Sequence, residues 1–350
     1  MASAIRIGIV GAGDNTRVRH IPGLQTQEGV EIISVCNRSQ ASNQRVAQEF
    51  GIPTTHSNWK ELVASDGIDA VVIGTWPYLH CPITLAALEA GKHVMTEARM
   101  AMDATQARLM LEKSRANPHL VTQIVPSPIT LRVDRMIRKL VAEGYLGEIL
   151  AVEIINNSNT FVDRSSPLHW RHDRNLSGLN ILVMGIWYEA LMRWVGEAVE
   201  VMAMTQMNVT QRSTSEGAMQ TITIPDHVDI LAKMACGAQA RLQFSMVTGL
   251  AVSTSKAWLF GSEGTLCYDL DADQLLGGKR GDSDLGPITI PEELESNWRV
   301  EEEFINAIRG EEKISHTTFE DGHKYMQFTE AVTRSARSKA AVCVQDMGWS

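Results

Sequence analysis

The run Ile5-Arg6-Ile7-Gly8-Ile9-Val10, closed at once by Gly11-Ala12-Gly13, constrains this chain more than any other feature. A short apolar run that ends on glycines reads as a buried strand. Val30–Cys36 repeats the pattern, and so do 70–75 and 93–97. Helical patterns lie between them at 42–50 and 81–90, the second stopped by Gly91. Strands alternating with helices predict an α/β unit: a parallel, doubly wound Rossmann sheet with helices on both faces.

After about residue 124 the texture changes. A helix is expected at 131–143, then longer strand-like runs at Ile149–Asn157, 199–208, 227–235 and 240–247. Several alternate apolar and polar residues, as a sheet with one buried face does. An apolar helix at 180–195 interrupts them, and two late helices are expected at Val300–Arg309 and 319–337. The reading is therefore a Rossmann domain over 1–123 and an α+β domain over 124–347, built on a large, open, mostly antiparallel sheet. The last helix is free to pack back on the first domain.

A chain of 350 residues suits two domains. Its net charge of -9 and the lack of any Lys/Arg run argue against nucleic acid as a partner. No apolar run approaches the ~18 residues of a membrane span, and the start lacks a secretory pattern. Cys36, Cys81, Cys236, Cys267 and Cys343 are scattered, with no Cys-x-x-Cys, so no disulfide framework or metal site is expected and a reducing cytoplasm fits. The tail 348–350 reads as an appended scar and is left out of the fold argument.

The glycine turn carries chemistry. In Gly11-Ala12-Gly13-Asp14-Asn15-Thr16, Gly11 permits the tight turn and Gly13 lets backbone approach a pyrophosphate at a helix N-terminus. Thr16 stands where a third glycine is expected, which predicts slightly wider packing of helix on strand. The second strand ends in Asn37-Arg38-Ser39, where an acidic residue would bind the ribose 2′-hydroxyl of NAD. Asn37 carries no charge to repel a 2′-phosphate, and Arg38 and Ser39 could hold one, so NADP is expected, with NAD as the alternative.

Thr75-Trp76-Pro77-Tyr78-Leu79-His80, 89–97, 143–148, Trp170-Arg171-His172-Asp173, 193–196 and 261–266 together resemble the glucose-fructose oxidoreductase, inositol dehydrogenase and rhizopine-catabolism group, Gfo/Idh/MocA. The resemblance covers nearly the whole chain. It implies NAD(P)-dependent oxidation or reduction of sugars, inositols, other polyols or dihydrodiols, and homodimers or homotetramers formed through the second sheet. It also implies cofactor contacts from Thr75, Trp76, His80 and Glu97.

The departures are informative. The family's Glu-Lys-Pro, whose Lys is the proton partner of the reacting hydroxyl, reads Glu97-Ala98-Arg99. Its Asp, Gly, His and Asp on the apolar helix read Val183, Gly185, Trp187 and Ala190. A proton partner is worth about 10²–10⁴ in rate, so its joint loss points to a changed mechanism. Replacement candidates are Tyr188, His172, Asn180 and Arg99. Arg99 cannot be a base but could clamp a carboxylate or polarise a carbonyl. Arg171, Asn180 and Trp187 are candidate substrate contacts. Against these stand plain readings: Tyr188 and Trp187 as core aromatics, Asn180 as a helix cap, Glu189 as an i,i+4 partner of Arg193. Two other functions remain open at this point: redox-neutral chemistry on a tightly held nucleotide, and a non-catalytic nucleotide or sugar sensor.

Overall fold

The structure, a computed structural model, describes residues 4–345; the tail 348–350 lies outside the described residues. The chain divides into two units, Met1–Pro126 with Arg299–His323, and Ser127–Trp298 with Lys324–Ser350.

The first unit carries a six-stranded sheet: β1 (Ile5–Val10), β2 (Val30–Cys36), β3 (Thr54–Thr55), β4 (Ala70–Ile73), β5 (His93–Thr96) and β6 (Thr122–Ile124). Their order is 3-2-1-4-5-6, and every pairing is parallel. The connecting helices are α1 (Ile21–Gln25), α2 (Gln40–Phe50), α3 (Trp59–Ala64), α4 (Pro77–Glu89) and α5 (Ala104–Ala116). All four residues of β4 are buried, which is why it reads as a continuous apolar run without alternation. Each buried Ile or Val there contributes roughly 1.5–3 kcal/mol. Strand order reverses between β1 and β4, and the crevice at such a switch point is where open α/β sheets bind ligands.

The second unit follows the order α6 (Leu131–Ala142), β7 (Ile149–Asn157), α7 (Arg174–Ser177), α8 (Met184–Val195), β8 (Ala198–Gln206), β9 (Gln211–Ser213), β10 (Met219–Thr221), β11 (His227–Met234), β12 (Gln239–Ser245), β13 (Ser255–Gly261), β14 (Gly264–Asp269), β15 (Gln274–Lys279) and β16 (Gly286–Pro287). The chain closes with α9 (Val300–Arg309), α10 (Phe319–Ser338) and β17 (Val342–Cys343). A nine-stranded sheet runs in the order 16-15-14-13-7-12-11-8-17, antiparallel except for the β7–β12 pair. Strict alternation along β8 and β11 buries Val201, Ala203, Val228 and Ile230 on one face and exposes Met202, Met204 and Leu231 on the other.

Two expectations need correction. A single boundary at 123/124 does not describe the chain, because the segment holding α9 returns to the first unit. Its helix buries Val300, Phe304 and Ile305 there, and Glu303 accepts a hydrogen bond from Gln123 at 2.7 Å. The last helix, α10, is continuous, with its residues up to His323 in the first unit and the rest in the second. The apolar helix also starts at Met184 rather than at 180, after Leu182 takes a φ of 45°. Asn180 therefore stands outside the helix and shares no stripe with Trp187. Among the described residues, no helix is long and apolar enough to cross a membrane, and no group of three His, Cys, Asp or Glu could hold a metal.

Candidate functional site

The glycine turn closes the C-terminal end of β1. Gly11 has a φ of 87°, and a Cβ there would lie 2.7 Å from the Thr75 backbone nitrogen, so only glycine fits. The Ala12 N–H donates to Asn37 Oδ1 at 2.6 Å, which ties the turn to the end of β2. Thr16 is buried and its Oγ1 donates to the Gly11 carbonyl at 3.2 Å. The expected wider packing does not occur. The space a third glycine would free on the helix is freed on the strand side by Gly74, where a Cβ would come within 2.1 Å of Thr16 Oγ1.

Beside this turn lies a groove of about 390 Å³, lined among others by Gly11, Gly13, Asn37, Arg38, Thr75 and Trp76. No lining residue is acidic. The Arg38 guanidinium stands 5.5 Å from the centroid of the Trp76 ring, so a cation and an indole frame one part of the groove. Ser39 caps α2, its Oγ accepting from the Ser42 N–H at 3.3 Å, and Asp14 is exposed outside the lining. His80 is not a cofactor contact. It is buried, and its two ring nitrogens sit 2.9 Å from the carbonyls of Arg99 and Thr75, so it pins two loop ends together. Burial lowers its pKa.

Behind the turn is a charged cluster. The helix that starts after Gly13 contains a π-helical turn, Thr16–His20, of a kind that recurs at functional sites. His20, fully buried, reaches Glu301 on α9 through Nδ1 at 2.5 Å and Glu97 after β5 through Nε2 at 3.0 Å. Both ring nitrogens face carboxylates, an arrangement that suits the doubly protonated ring. Burial alone would lower the His20 pKa, but the two carboxylates overcome it and raise it to about 9. Burial would raise the Glu97 pKa, yet hydrogen bonds and charge from His20, with help from Asn15, lower it. The Asn15 amide also donates to Glu97 Oε1, and the Ala98 N–H to Oε2 at 3.2 Å. Glu97 is thus kept ionised at the end of β5 with 16% of its side chain exposed. Sequence reading named Asn15 and Glu97 as cofactor contacts and did not single out His20 or Glu301, which are 281 positions apart and are joined only by the fold.

In the second unit the candidates separate. Tyr188 is no acid-base group: it is buried, stacks on Phe328 with centroids 3.7 Å apart, and its oxygen accepts from the Ala198 N–H at 2.8 Å. Burial pushes its pKa up, away from neutrality. Trp187 is fully buried, so it serves the core and cannot stack on a substrate. Asn180 is buried and its amide donates to the Ser177 carbonyl at 2.7 Å at the end of α7; it does not cap α8, whose N-cap position is Val183. Arg99, in the first unit, is buried. Glu189 is buried and accepts from Arg193 at 2.5 Å, the i,i+4 pair read from the spacing, while Arg193 also bonds Asp134 at 2.7 Å. Arg171 is exposed and lies over the Trp170 ring at 4.2 Å. His172 sits in the same loop, its Nδ1 accepting from the His169 N–H at 3.2 Å. Burial, with charge from Arg212 and His169, pushes its pKa down to about 4.

A model described as the oxidoreductase family, NAD-binding Rossmann fold, matches residues 5–123, and the GFO/IDH/MocA C-terminal domain matches 135–267. Levoglucosan dehydrogenase of Pseudarthrobacter phenanthrenivorans is 26% identical over 43% of this chain, and 1,5-anhydro-D-fructose reductase of Ensifer adhaerens is 31% identical over 43%. The chain spans only 38% and 45% of the lengths of these two relatives. An uncharacterized oxidoreductase of Escherichia coli is 24% identical over 95% of this chain and 88% of its own. Among solved structures, levoglucosan dehydrogenase in complex with NADH and L-sorbose superposes with a TM-score of 0.84 at 20% identity, covering 97% of this chain and 98% of the other.

Proposed function

The chain belongs to the Gfo/Idh/MocA oxidoreductase family, and we propose that it is an NADP(H)-dependent oxidoreductase of a sugar-like polyol, a cyclic diol or the matching carbonyl compound. The observation that carries this is the groove at the glycine turn, which holds Arg38 and no acidic residue. A 2′-phosphate there meets a cation and no repelling carboxylate. The names of the two sugar-derivative enzymes among its relatives support the substrate class.

A bound nicotinamide would supply or accept hydride. The protein's own task is to position the two partners and to manage the proton on the substrate oxygen. Glu97, ionised by the His20 cluster, is the orienting anion at the end of β5. Of the four replacement candidates, Tyr188, Asn180 and Arg99 are buried, which leaves His172. Its Nδ1 accepts a backbone N–H, so the neutral ring carries its proton on Nε2 and acts as a hydrogen-bond donor. Such a donor polarises a carbonyl in reduction and holds a hydroxyl in oxidation. The exposed Met202, Met204 and Leu231 face of the sheet is the surface for a dimer or tetramer.

The test is turnover of NADP⁺ or NADPH with a panel of sugars, inositols, cyclic diols and their keto forms. His172→Ala is expected to lower kcat by about 10²–10³, the usual cost of one lost donor, with His172→Gln retaining more. Because His172 stays neutral down to a pKa of about 4, the wild-type rate should show no histidine limb on moving from neutrality toward that pH. Unchanged turnover in His172→Ala removes it from the mechanism.

A further inference from the structure

A second cavity, of about 270 Å³, lies wholly within the second unit. Arg174 on α7 and Arg337 at the end of α10 both line it, with Thr205, Thr223 and Thr333 around them. Among the described residues neither arginine forms an ion pair with a carboxylate. The chain as a whole is acidic, and Arg280, beside another cavity, is paired with Glu263. Two like charges left facing each other around one cavity are costly unless something negative joins them.

We propose that this cavity binds a phosphate-type oxyanion, either free or carried as the phosphoryl group of a small metabolite. Arg174 is half-buried, and its Nε is shielded from solvent with no hydrogen-bond partner among the described residues. Burial and the neighbouring Arg337 charge both lower its pKa, and no acid compensates. Arg337 lies in the last turn of α10, where the helix dipole favours a cation. Guanidinium forks match phosphoryl oxygens in bidentate fashion, and the hydroxyls of Thr205 and Thr223 can add donors, while that of Thr333 donates to the Thr329 carbonyl. The volume lies just under the ~300–1,000 Å³ usual for larger organic ligands, which suits a small anion or a short phosphorylated molecule. Ile181, Met207 and Pro225 give the cavity an apolar side for a carbon skeleton.

The experiment is isothermal titration calorimetry of the full chain with inorganic phosphate, a hexose phosphate and sodium chloride as the ionic-strength control. Saturable phosphate binding is expected, and losing one guanidinium contact in Arg174→Gln or Arg337→Gln should weaken it by about ten- to a hundredfold. Arg38→Ala should leave this binding in place, which separates it from the cofactor groove. Arg337 is exposed, so its variant should fold, and without phosphate its Tm should not fall below wild type, since a repulsion has been removed. A tighter hexose phosphate assigns the phosphoryl group of a metabolite, and equal affinity assigns the free ion. Binding no different from sodium chloride, or unchanged in Arg337→Gln, overturns the proposal.

Discussion

Replacing His20 by Ala should destabilise the protein by about 3–5 kcal/mol, the usual cost of removing one partner from a buried charge network. The ring is fully buried and bonds both Glu97 and Glu301, so its loss removes the cation that these two carboxylates share. One of them must then take a proton or draw in water. The pH dependence follows from the direction of the shift. The folded-state pKa of His20 is raised from 6.5 to about 9, so the charged ring binds its proton more tightly in the folded protein. The stabilisation is fully present below 6.5 and is lost as pH rises through about 9. At ~1.4 kcal/mol per unit, its size is about 3 kcal/mol. On the acid side the depressed Glu97 pKa carries the same interaction, so stability falls only when that carboxylate is protonated, below its ordinary 4.5. Chemical denaturation of wild type and His20→Ala at pH values spanning this range checks both statements. The wild type should lose stability toward alkaline pH and the variant should not. Parallel slopes would mean that His20 is not the titrating group.

Glu97→Gln should lower kcat by about 10²–10³ while leaving NADPH affinity within a few-fold. The warrant is preorganisation: an anion fixed by His20, Asn15 and the Ala98 N–H acts on the reacting end without having to be ordered during the reaction. Glutamine has the same shape and can still accept from Asn15, so the charge is what the variant removes. A role confined to structure would show as lost Tm with kcat preserved. A role in cofactor capture would show as raised KM for NADPH. Only the predicted split, kcat falling with binding retained, fits an orienting anion.

Much of the scaffold was legible because short apolar strands, glycine stops and alternation are local signals. β1, β2 and α9 start and end where the residues say they should. The two- and three-residue strands β3 and β6 are too short to carry a period. The start of α8 was misplaced because 180–183 is as apolar as the helix itself, and only the left-handed turn at Leu182 separates them. Where the signal sits in one segment, as at Gly11, Gly13, Asn37 and Arg38, the structure brings the named residues to one groove. Sequence reading misled where a side chain's role depends on what packs against it. Tyr188 and Trp187 lie at suggestive positions, yet both are enclosed by the core. His20 gave one faint hint, a histidine in the first helix after the glycine turn. Its partner Glu301 arrives on a helix that the sequence assigns to the other domain.

The most direct measurement is a fluorescence titration of the purified protein with NADPH and with NADH, in wild type and Arg38→Ala. The account predicts one saturable site per chain, tighter for NADPH. Arg38→Ala should weaken NADPH by about ten- to a hundredfold, the value of one charge-assisted phosphate contact, and leave NADH almost unchanged. A wild-type protein that prefers NADH, or that binds neither nucleotide while remaining folded, would contradict it.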